Sequence, residues 1–438
     1  MKTKKTALSP FNKCGGMDYA IGILSKTNLW SSIDERLGSR GIARYSYSDL
    51  IQSWTINVLG GTTRLEHIFD HRDALRQNKK FKLGMTPDTI SRAFKRLAVE
   101  NEYWSYHEAY KDHSKFNKLD FETVKKEKDK KNNEINWNEK LNLLNLKTAI
   151  LLGILKKDEA YELDIDATFI PTDISDSRFS FLKGGNGYSP LTVMLGGIPI
   201  LSEIRNGNSH AGFRNLEFLI QCIEIIKAEG LRIKLVRSDN AGLSRKIVQY
   251  LNKENIPFYM SSDANVNKAS LQDAILNFKE KVVKKATLKI ADTDYMFGKE
   301  KIRIVHFKKY GYEKGNRIEK HHGIATNNWN LNNEDVIKTY NTRAHHECNF
   351  SLLKEFGWKY MPAREMKFNA VHILISNLVY LIFTYLKQFL SKKVDFVEVT
   401  MEMKTFTKAF IHVLVQYTLG KPLLLERQDE YKRLYRFL

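Results

Sequence analysis

The sequence predicts an α/β fold in which a mixed sheet follows an all-helical N-terminal region. Apolar residues at three- and four-residue spacing over 17–110 indicate amphipathic helices. From about residue 160 the apolar residues alternate instead, which is typical of strands. Three strands, a helix, a strand, a helix and a strand then follow one another, and this order favours a mixed sheet covered by helices.

The last predicted helix of the N-terminal region begins at Thr86, a preferred N-cap residue, with Pro87 at the first helical position. Its exposed face would carry Arg92, Lys95 and Arg96. A basic helix that follows a short helix and a turn resembles a helix-turn-helix, whose basic side chains contact DNA. A helical bundle with a solvated basic face fits the same pattern, so both interpretations stay open.

Two further segments differ from the sheet pattern. Residues 111–155 are rich in Lys, Asn, Asp and Glu, which predicts a solvated charged linker or an exposed helix. Residues 263–320 alternate in short runs with many Lys and aromatic residues, which predicts a β-rich insertion. Residues 370–386 are strongly apolar, but the segment is short for a membrane span and contains polar residues, so we predict a buried core helix.

The net charge of +20 over 438 residues indicates a polyanionic partner, with nucleic acid favoured over an anionic membrane. The basic residues are spread along the whole chain, so we expect a long binding surface. Cys14, Cys222 and Cys348 are odd in number and far apart, which favours a reducing, cytoplasmic compartment over a disulfide framework. The first residues lack the apolar core of a signal peptide.

Several acidic residues stand where distant carboxylates can meet. The strand period of two places Asp164 and Asp166 on the face opposite their apolar neighbours. Asp239 ends another apolar strand, and Glu347 stands on a later predicted helix. Strand ends and an adjacent helix can bring such groups together. Converging carboxylates repel one another, and a divalent cation such as Mg²⁺ is the usual remedy.

The segment "KTYNTRAHHECNFSLLKEFGW" (338–358) is predicted to be one helix with a polar stripe. Four side chains would project within about 60° of one another at about 100° per residue. They are Tyr340, Arg343, Glu347 and Lys354. The Arg–Glu pair could be a plain helix salt bridge. A salt bridge alone does not explain why Tyr340 and Lys354 lie on the same stripe of the helix.

The acids and the stripe resemble a known family. The stripe reproduces the Y-(2)-R-(3)-E-(6)-K signature of bacterial insertion-sequence transposases of the DDE class. "DIDATFIPT" resembles the family's first-aspartate strand, with Asp166 at the matching position, and "RSDNAGLS" resembles its second-aspartate turn, with Asp239 matching. Asp164 is a competing candidate for the first position. The chain departs from the family after the first aspartate, where many relatives carry a His-Gly pair.

The resemblance implies an RNase H-like mixed sheet core, in which Asp166, Asp239 and Glu347 are catalytic and bind two Mg²⁺ ions per site, with Mn²⁺ as a substitute. Such enzymes hydrolyse DNA at transposon ends and join the 3′-OH groups to target DNA. The other three stripe residues would contact phosphates of the transposon end. The partners implied are double-stranded DNA, at terminal inverted repeats and target, and a second copy of the chain when two ends are paired.

The residue patterns and the family resemblance together predict the domain organisation of the chain. A helical DNA-binding domain precedes the linker, and the catalytic core is divided by the insertion and followed by C-terminal helices. The predicted bounds are 1–110, 111–155, 156–262, 263–320, 321–390 and 391–438. Two other functions fit part of the pattern, namely an inactive transposase-derived DNA-binding protein and an RNase H-like nuclease or resolvase. The three acids disfavour the former, and the helical domain with the long insertion disfavours the latter.

The predicted insertion interleaves basic with aromatic residues, a composition that suits unpaired DNA on which bases can stack. In the resembling family this insertion helps to form a hairpin at the cut DNA end. The aromatic residues are Tyr295, Phe297, Phe307, Tyr310 and Tyr312, with Trp329 just beyond. The same side chains could instead form the insertion's own small core.

Overall fold

A computed structural model gives the structure of the protein. The residues that it describes are 11–12, 14–68, 85–104, 133–174, 176–262, 266–270, 278–283, 286–313, 316–343, 350–418, 421–424 and 427–437. The α-helices are α1 (Gly15–Ser25), α2 (Leu29–Leu37), α3 (Tyr47–Leu59), α4 (Pro87–Lys95), α5 (Glu139–Leu151), α6 (Asn215–Ala228), α7 (Arg245–Lys253), α8 (Asn333–Asn341), α9 (Met366–Leu390), α10 (Met403–Phe406) and α11 (Gln428–Tyr431). Shorter 3₁₀ or π turns are Leu65–His67, Asn240–Gly242, Lys354–Trp358, Thr407–Ile411 and Lys432–Phe437.

The strands are β1 (Phe11–Asn12), β2 (Glu102–Trp104), β3 (Asn133–Asn136), β4 (Ala160–Ala167), β5 (Ile170–Pro171), β6 (Arg178–Ser180), β7 (Gly185–Tyr188), β8 (Leu191–Leu195), β9 (Ile198–Arg205), β10 (Arg232–Ser238), β11 (Phe258–Ser261), β12 (Lys279–Val283), β13 (Ala286–Phe297), β14 (Glu300–Glu313), β15 (Asn316–Thr326), β16 (Val415–Thr418) and β17 (Lys421–Leu424).

Eleven of the described strands form one mixed sheet, in the order β12-β13-β14-β15-β11-β10-β4-β8-β9-β3-β2. In its centre β4, β8 and β9 are antiparallel neighbours, whereas β10 and β11 run parallel to β4. Parallel neighbours need crossover connections, and α6 and α7 lie in the connections that lead to β10 and β11. The mixed α/β class predicted from the sequence is therefore confirmed.

Local signals place several element ends where the sequence predicts them. Gly196 and Gly197 have positive φ angles of 57° and 81°, so they form the tight turn between β8 and β9. At the start of α4, the Thr86 hydroxyl accepts a hydrogen bond from the Thr89 amide at 3.2 Å, and Pro87 follows at the first helical position. These caps satisfy amides that a helix leaves unpaired.

α9 is the apolar helix predicted over 370–386. It is the helix of the described residues that is long and apolar enough to cross a membrane, and 94% of its most apolar stretch is buried inside the protein. Its polar residues are paired within this core. His372 bonds to the carbonyl of Gly357 at 3.1 Å, and Asn377 accepts from the indole of Trp358 at 3.1 Å. α9 is therefore the buried core helix that the sequence predicts.

The segment predicted at 111–155 as a solvated linker or an exposed helix contains a helix in its described part, which begins at residue 133, but this helix is largely buried. β3 pairs with β9, and α5 packs against α9. Asn142 bonds to both the amide and the carbonyl of Ser202, at 2.8 and 3.1 Å, and Asn145 donates to a carbonyl of α9 at 3.1 Å. The polar composition is misleading because these buried amides satisfy backbone groups of neighbouring elements.

The C-terminal region, predicted to be helical over 391–438, also contains a β-hairpin. β16 pairs with β17 and with β1 from the other end of the chain. Gly15 donates to the Val413 carbonyl at 2.8 Å, and Thr407 donates to the Leu59 carbonyl at 3.0 Å. The alternation in "VLVQYT" is the strand signal that a helical interpretation misses.

The N-terminal helices share one apolar core with the C-terminal half of the chain. Buried residues between Cys14 and Leu97 cluster with buried residues between Phe350 and Leu434. The described part of 1–110 is mainly helical, but its last strand, β2, lies at the edge of the main sheet. The apolar faces of these helices are therefore buried jointly with α9 and its neighbours.

The β-rich segment predicted at 263–320 is an antiparallel meander from β12 to β15 that extends the main sheet beyond β11. β15 passes through residue 320, so the sheet shows no boundary there. Val336 and Ile337 of α8 pack against this extension together with Phe307. The extension is thereby joined to the helix that leads toward the candidate site.

Candidate active site

Two of the predicted acids lie at the ends of neighbouring parallel strands. β10 pairs with β4 in a register that sets Ser238 opposite Ile165. Continuing this register by one residue places Asp239 beside Asp166. Because neighbouring strands are about 4.8 Å apart, the two aspartates lie side by side at the carboxyl ends of β4 and β10.

Each of these aspartates accepts a hydrogen bond from a nearby amide. Asp166 Oδ1 accepts from the Ala167 amide at 2.8 Å, and Asp239 Oδ1 accepts from the Ala241 amide at 2.9 Å. The turn after Asp239 is held in addition by Asn215 at the start of α6, which donates to the Ala241 carbonyl at 3.0 Å. The carboxylates therefore have fixed backbones and defined orientations.

Arg343 brings a positive charge to these aspartates. Its Nη1 lies 3.2 Å from Asp166 Oδ2, and the two side chains are 12% and 17% exposed. Burial disfavours the charged guanidinium, yet its pKa is raised because Asp166, Tyr340 and Asp239 favour the charge. Nε of Arg343 is buried and has no hydrogen-bond partner within the described part of the chain. The guanidinium therefore keeps a donor for another acceptor.

Tyr340 lies on the last turn of α8 and joins the sheet to the site. Its hydroxyl hydrogen bonds to Ser261, at the end of β11, and to Arg343. Burial raises the pKa of this hydroxyl, so the side chain is neutral at physiological pH. Tyr340 thus orients the guanidinium without adding a negative charge.

Asp164 is held by a buried arginine from the neighbouring strand. Nε and Nη2 of Arg237 lie 2.7 and 2.9 Å from the two carboxylate oxygens of Asp164, and both side chains are 2% exposed. The same guanidinium lies 2.6 Å from Glu162, donates to the Thr339 carbonyl at 2.8 Å and bonds to the Thr342 hydroxyl. These contacts pair both carboxylate oxygens of Asp164 with Arg237, which fits a structural role for this acid.

Arg237 is not among the residues that the sequence pattern singles out. Its signal is present in "KLVRSD", where a charged residue stands inside an apolar strand. A buried charge needs a partner, and Asp164 is an acid within the adjacent buried strand. The register between the strands, which a single sequence does not give, is what identifies the pair.

Glu347, the third predicted acid, lies outside the described residues. The single helix predicted over 338–358 is interrupted after its first four residues, because α8 ends at Asn341 and a turn follows. The Thr342 hydroxyl bonds back to the Thr339 carbonyl at 2.8 Å, and this competes with continuation of the helix. Tyr340 and Arg343 nevertheless meet at the site. Lys354 is half-buried and is the first residue of the π turn Lys354–Trp358.

The other predicted DNA-binding residues lie on α4 and at its end. Arg92, Lys95 and Arg96 are exposed, and the Lys95 ammonium lies 5.0 Å from the centre of the Phe368 ring. The short helix predicted before α4 lies outside the described residues, apart from the end of its turn at Met85. The helix-turn-helix therefore stays a prediction.

The described aromatic residues of the β12–β15 extension are mostly packed. Tyr295 and Phe297 are half-buried against the core of the main sheet, and Phe307 is buried. Trp329 is 45% exposed, with the Lys301 ammonium 5.3 Å from its ring centre. The side chains outside the described residues are those of Tyr310 and Tyr312. Among the packed residues, a core role is the one that the structure supports.

The chemistry of the donors fits a hard divalent cation. Asp166 and Asp239 offer carboxylate oxygens at one edge of the sheet, and such oxygens are the ligands that Mg²⁺ prefers. Among the described residues no group of three or more His, Cys, Asp or Glu side chains is gathered closely enough to hold a metal. Glu347 is therefore the residue needed to complete the predicted set of three acids.

One protein family matches most of the chain. The family model for the transposase DDE domain group 1 matches residues 123–410. No curated protein matches the chain. A solved structure of a piggyBac transposase synaptic complex with hairpin DNA is similar, with a TM-score of 0.45 and 11% sequence identity. That match covers 94% of this chain and 81% of the other.

The matched residues place the chain in the class of DDE transposases. The match spans more than half of the 438 residues, and the chain belongs to the family of the transposase DDE domain group 1. The class expected from the sequence resemblance is thereby confirmed.

The two neighbouring aspartates should respond differently to substitution. Asp164→Ala leaves Arg237 buried without its bidentate partner, which should lower the free energy of unfolding by about 3–5 kcal/mol. Asp166 is partly exposed, so Asp166→Ala should change the free energy of unfolding by roughly 1 kcal/mol or less. Denaturant titration of both variants and the parent measures the difference. Equal losses in the two variants would contradict these separate roles.

Proposed function

We propose that the protein is an active insertion-sequence transposase, which cuts DNA at transposon ends and joins the free 3′-OH groups to target DNA. The observation that carries the proposal is the side-by-side placement of Asp166 and Asp239 at adjoining strand ends, faced by Arg343, in a chain of the DDE family. The net charge of +20 supports a DNA substrate.

We assign the centre of the sheet to an RNase H-like core. Its five strands stand in the order β9-β8-β4-β10-β11, with the first three antiparallel to one another and the last two parallel to β4. The two aspartates lie at the carboxyl ends of its middle strands. Ligands of α/β sheets bind at such edges, where the direction of the connections changes.

In the proposed site Asp166, Asp239 and Glu347 hold two Mg²⁺ ions, for which Mn²⁺ can substitute. Two ions of this kind activate an attacking hydroxyl and stabilise the leaving 3′ oxygen. The protein's part is to hold the two aspartates in register through β4 and β10. The Ala167 and Ala241 amides keep each carboxylate oriented toward the edge of the sheet.

Arg343 and Tyr340 position the scissile DNA strand in this proposal. A guanidinium presents several donors in one plane, which suits a phosphate group. Arg343 has a buried donor without a partner among the described residues, and Tyr340 fixes its direction. Lys354 contacts a further phosphate of the transposon end. These three residues, with Glu347, form the signature that the sequence shares with bacterial insertion-sequence transposases.

The exposed residues Arg92, Lys95 and Arg96 bind the transposon end away from the site. Two copies of the chain act together, because two ends must be paired before they are inserted. The cut ends pass through DNA hairpins, and an aromatic side chain of the β12–β15 extension, or one just after it, stacks on the DNA. Trp329, which follows the end of β15 by three residues, is an exposed candidate for this contact. The enzyme works in the bacterial cytoplasm on the chromosome or on plasmids.

A plasmid excision assay tests the proposal. A marker is placed between the two genomic segments that flank the coding sequence, because these segments contain the ends of an insertion sequence. Asp166→Ala, Asp239→Ala and Glu347→Ala should each lower excision by at least about 100-fold, because each removes a group that acts with the others at the reacting phosphate. Binding of end DNA, measured by gel shift, should persist.

The control is Asp173→Ala, which removes an exposed acid from the connection that follows β4. Excision by this variant should equal that of the parent. Cutting without joined products would identify a nuclease, and binding without cutting would identify an inactive DNA-binding protein. If Glu347→Ala excised the marker nearly as well as the parent, Glu347 would not be the third catalytic acid.

Arg343→Lys and Arg343→Ala separate charge from geometry. Lysine keeps the positive charge near Asp166 but lacks the planar fork, so cleavage should fall by roughly tenfold or more in both variants. Melting temperatures should fall less in the lysine variant than in the alanine variant, because the charge beside the aspartates is kept. An activity that follows the melting temperature in both variants would favour a plain salt bridge over a phosphate contact.

The basic residues at α4 should determine part of the salt dependence of DNA binding. In the triple variant R92A/K95A/R96A, the slope of log K against log salt should be less steep by up to about 3, since each phosphate contact contributes about 0.9. Titrations at several salt concentrations measure this slope. Lys26→Ala with Lys253→Ala, two basic residues at other helix ends, serves as the control and should leave the slope nearly unchanged. An unaltered slope in the triple variant would remove α4 from the interface.

A further inference from the structure

The connection between β4 and β8 carries an exposed apolar tip. β6 and β7 form a hairpin whose tip consists of Phe181, Leu182, Lys183 and Gly184. Phe181 is 87% exposed and Leu182 is 86% exposed, and Phe179 lies beside them at 46%. The rings of Phe179 and Phe181 contact each other edge to face, with centroids 5.4 Å apart. Large apolar side chains exposed together in this way mark a surface that contacts another molecule.

The base of this hairpin is firmly attached to the main sheet. Asn206 accepts from the Arg178 amide at 2.7 Å and donates to the Asp176 carbonyl at 2.9 Å. Tyr188 is buried and its hydroxyl donates to Asp176 at 2.5 Å. A side chain at Gly207 would lie 2.5 Å from the Arg178 carbonyl, so the two segments are in close contact. The apolar tip is therefore projected from a rigid support.

The hairpin lies close to the candidate active site. β5 begins four residues after Asp166, and it pairs with β7 of the hairpin. Thr192 of β8 is the register partner of Asp166. The ten residue-to-residue steps from Leu182 to Thr192 span at most about 33–36 Å when fully extended. This reach is about one turn of a DNA duplex, roughly 34–36 Å, so a duplex bound at the aspartates can extend to the tip.

The charge around the tip is complementary to DNA. Arg178 and Lys183 are exposed on either side of the apolar residues, and 177–185 contains no acidic residue. Proteins that kink DNA insert apolar side chains between base pairs while basic residues hold the adjacent phosphates. A second copy of this chain carries the same positive charge, which disfavours contact between two such tips.

We propose that this hairpin is a DNA wedge, in which Phe181 and Leu182 insert between base pairs of the duplex bound at the site. Arg178 and Lys183 contact phosphates on either side, and the insertion unstacks one base step and bends the duplex. The wedge depends on one part of the proposed function, namely that a DNA duplex binds at Asp166 and Asp239. Both transposon-end DNA and target DNA offer the same base stack, and the two are distinguished by experiment.

Bending of two labelled duplexes by the full-length protein tests the wedge. One duplex represents the transposon end: it is taken from a genomic segment that flanks the coding sequence, where that segment meets the neighbouring DNA. The other duplex has an unrelated sequence and represents the target. Dyes at the duplex ends report bending by energy transfer, and permanganate reports unstacked thymines. The parent protein should bend at least one duplex by about 20–90°. The duplex affected identifies which DNA the hairpin engages.

F181A/L182A should lose this bend at saturating protein, and thymine reactivity should fall by at least roughly fivefold as the unstacked step closes. F181W, which keeps a large apolar side chain, should retain both signals. I42A/V399A is the matched control, because it removes two exposed apolar side chains elsewhere. F181Q/L182Q removes the apolar character with less loss of side-chain length, and it replaces the alanine pair if that pair fails to fold.

A folded F181A/L182A or F181Q/L182Q variant that bends both duplexes like the parent overturns the wedge. The wedge is also overturned if the parent protein binds both duplexes without bending either. It is overturned as well if the main change in a double variant is a different sedimentation coefficient without DNA, because the tip would then contact protein. Excision of the flanked marker is measured in parallel. If the bend depends on Phe181 and Leu182 but the parent protein does not excise the marker, the wedge is supported and the transposase function is contradicted. If the parent protein excises the marker and the variants bend DNA as it does, the transposase function is supported and the wedge is contradicted.

Discussion

The geometry of the site depends on the buried ion pair between Arg237 and Asp164. Both charges are removed from water, and this is unfavourable unless the partners are close and their remaining hydrogen-bonding groups are satisfied. The guanidinium of Arg237 meets that condition through its contacts with both strands and with the end of α8. The ion pair therefore joins the three elements that carry Asp166, Asp239 and Arg343.

The charge balance of the site follows from this arrangement. Two carboxylates at adjoining strand ends repel each other, and the repulsion acts to push the strands apart. Arg343 offsets this repulsion through its contact with Asp166. On the proposed function, Asp166 and Asp239 would hold divalent cations that supply positive charge here, and the guanidinium of Arg343 would then contact a phosphate. The same residue would stabilise the protein without DNA and position the DNA when it binds.

The strands and helices of the sheet centre could be predicted from the sequence, because alternation and helical spacing are local signals. Strand ends indicated that acids of β4 and β10 could meet, and the family resemblance singled out Asp166 and Asp239. Contacts between distant segments could not be predicted in this way. The buried role of 133–151 depends on asparagines that bond to β9 and α9, and the end of α8 at Asn341 depends on Arg237 and Thr342. In both cases a partner more than fifty residues away decides the outcome.

On the proposed function, the extensions of the sheet would lengthen the surface that faces the DNA. β4 and β10 stand near the middle of eleven strands, with the β12–β15 meander on one side and β9, β3 and β2 on the other. Ten strand spacings of about 4.8 Å give a sheet roughly 48 Å wide, before its twist is taken into account. A duplex that lies along this edge is supported for more than one helical turn. A sheet of only the five central strands would support less than one turn, so the added strands lengthen the surface available to DNA on both sides of the aspartates.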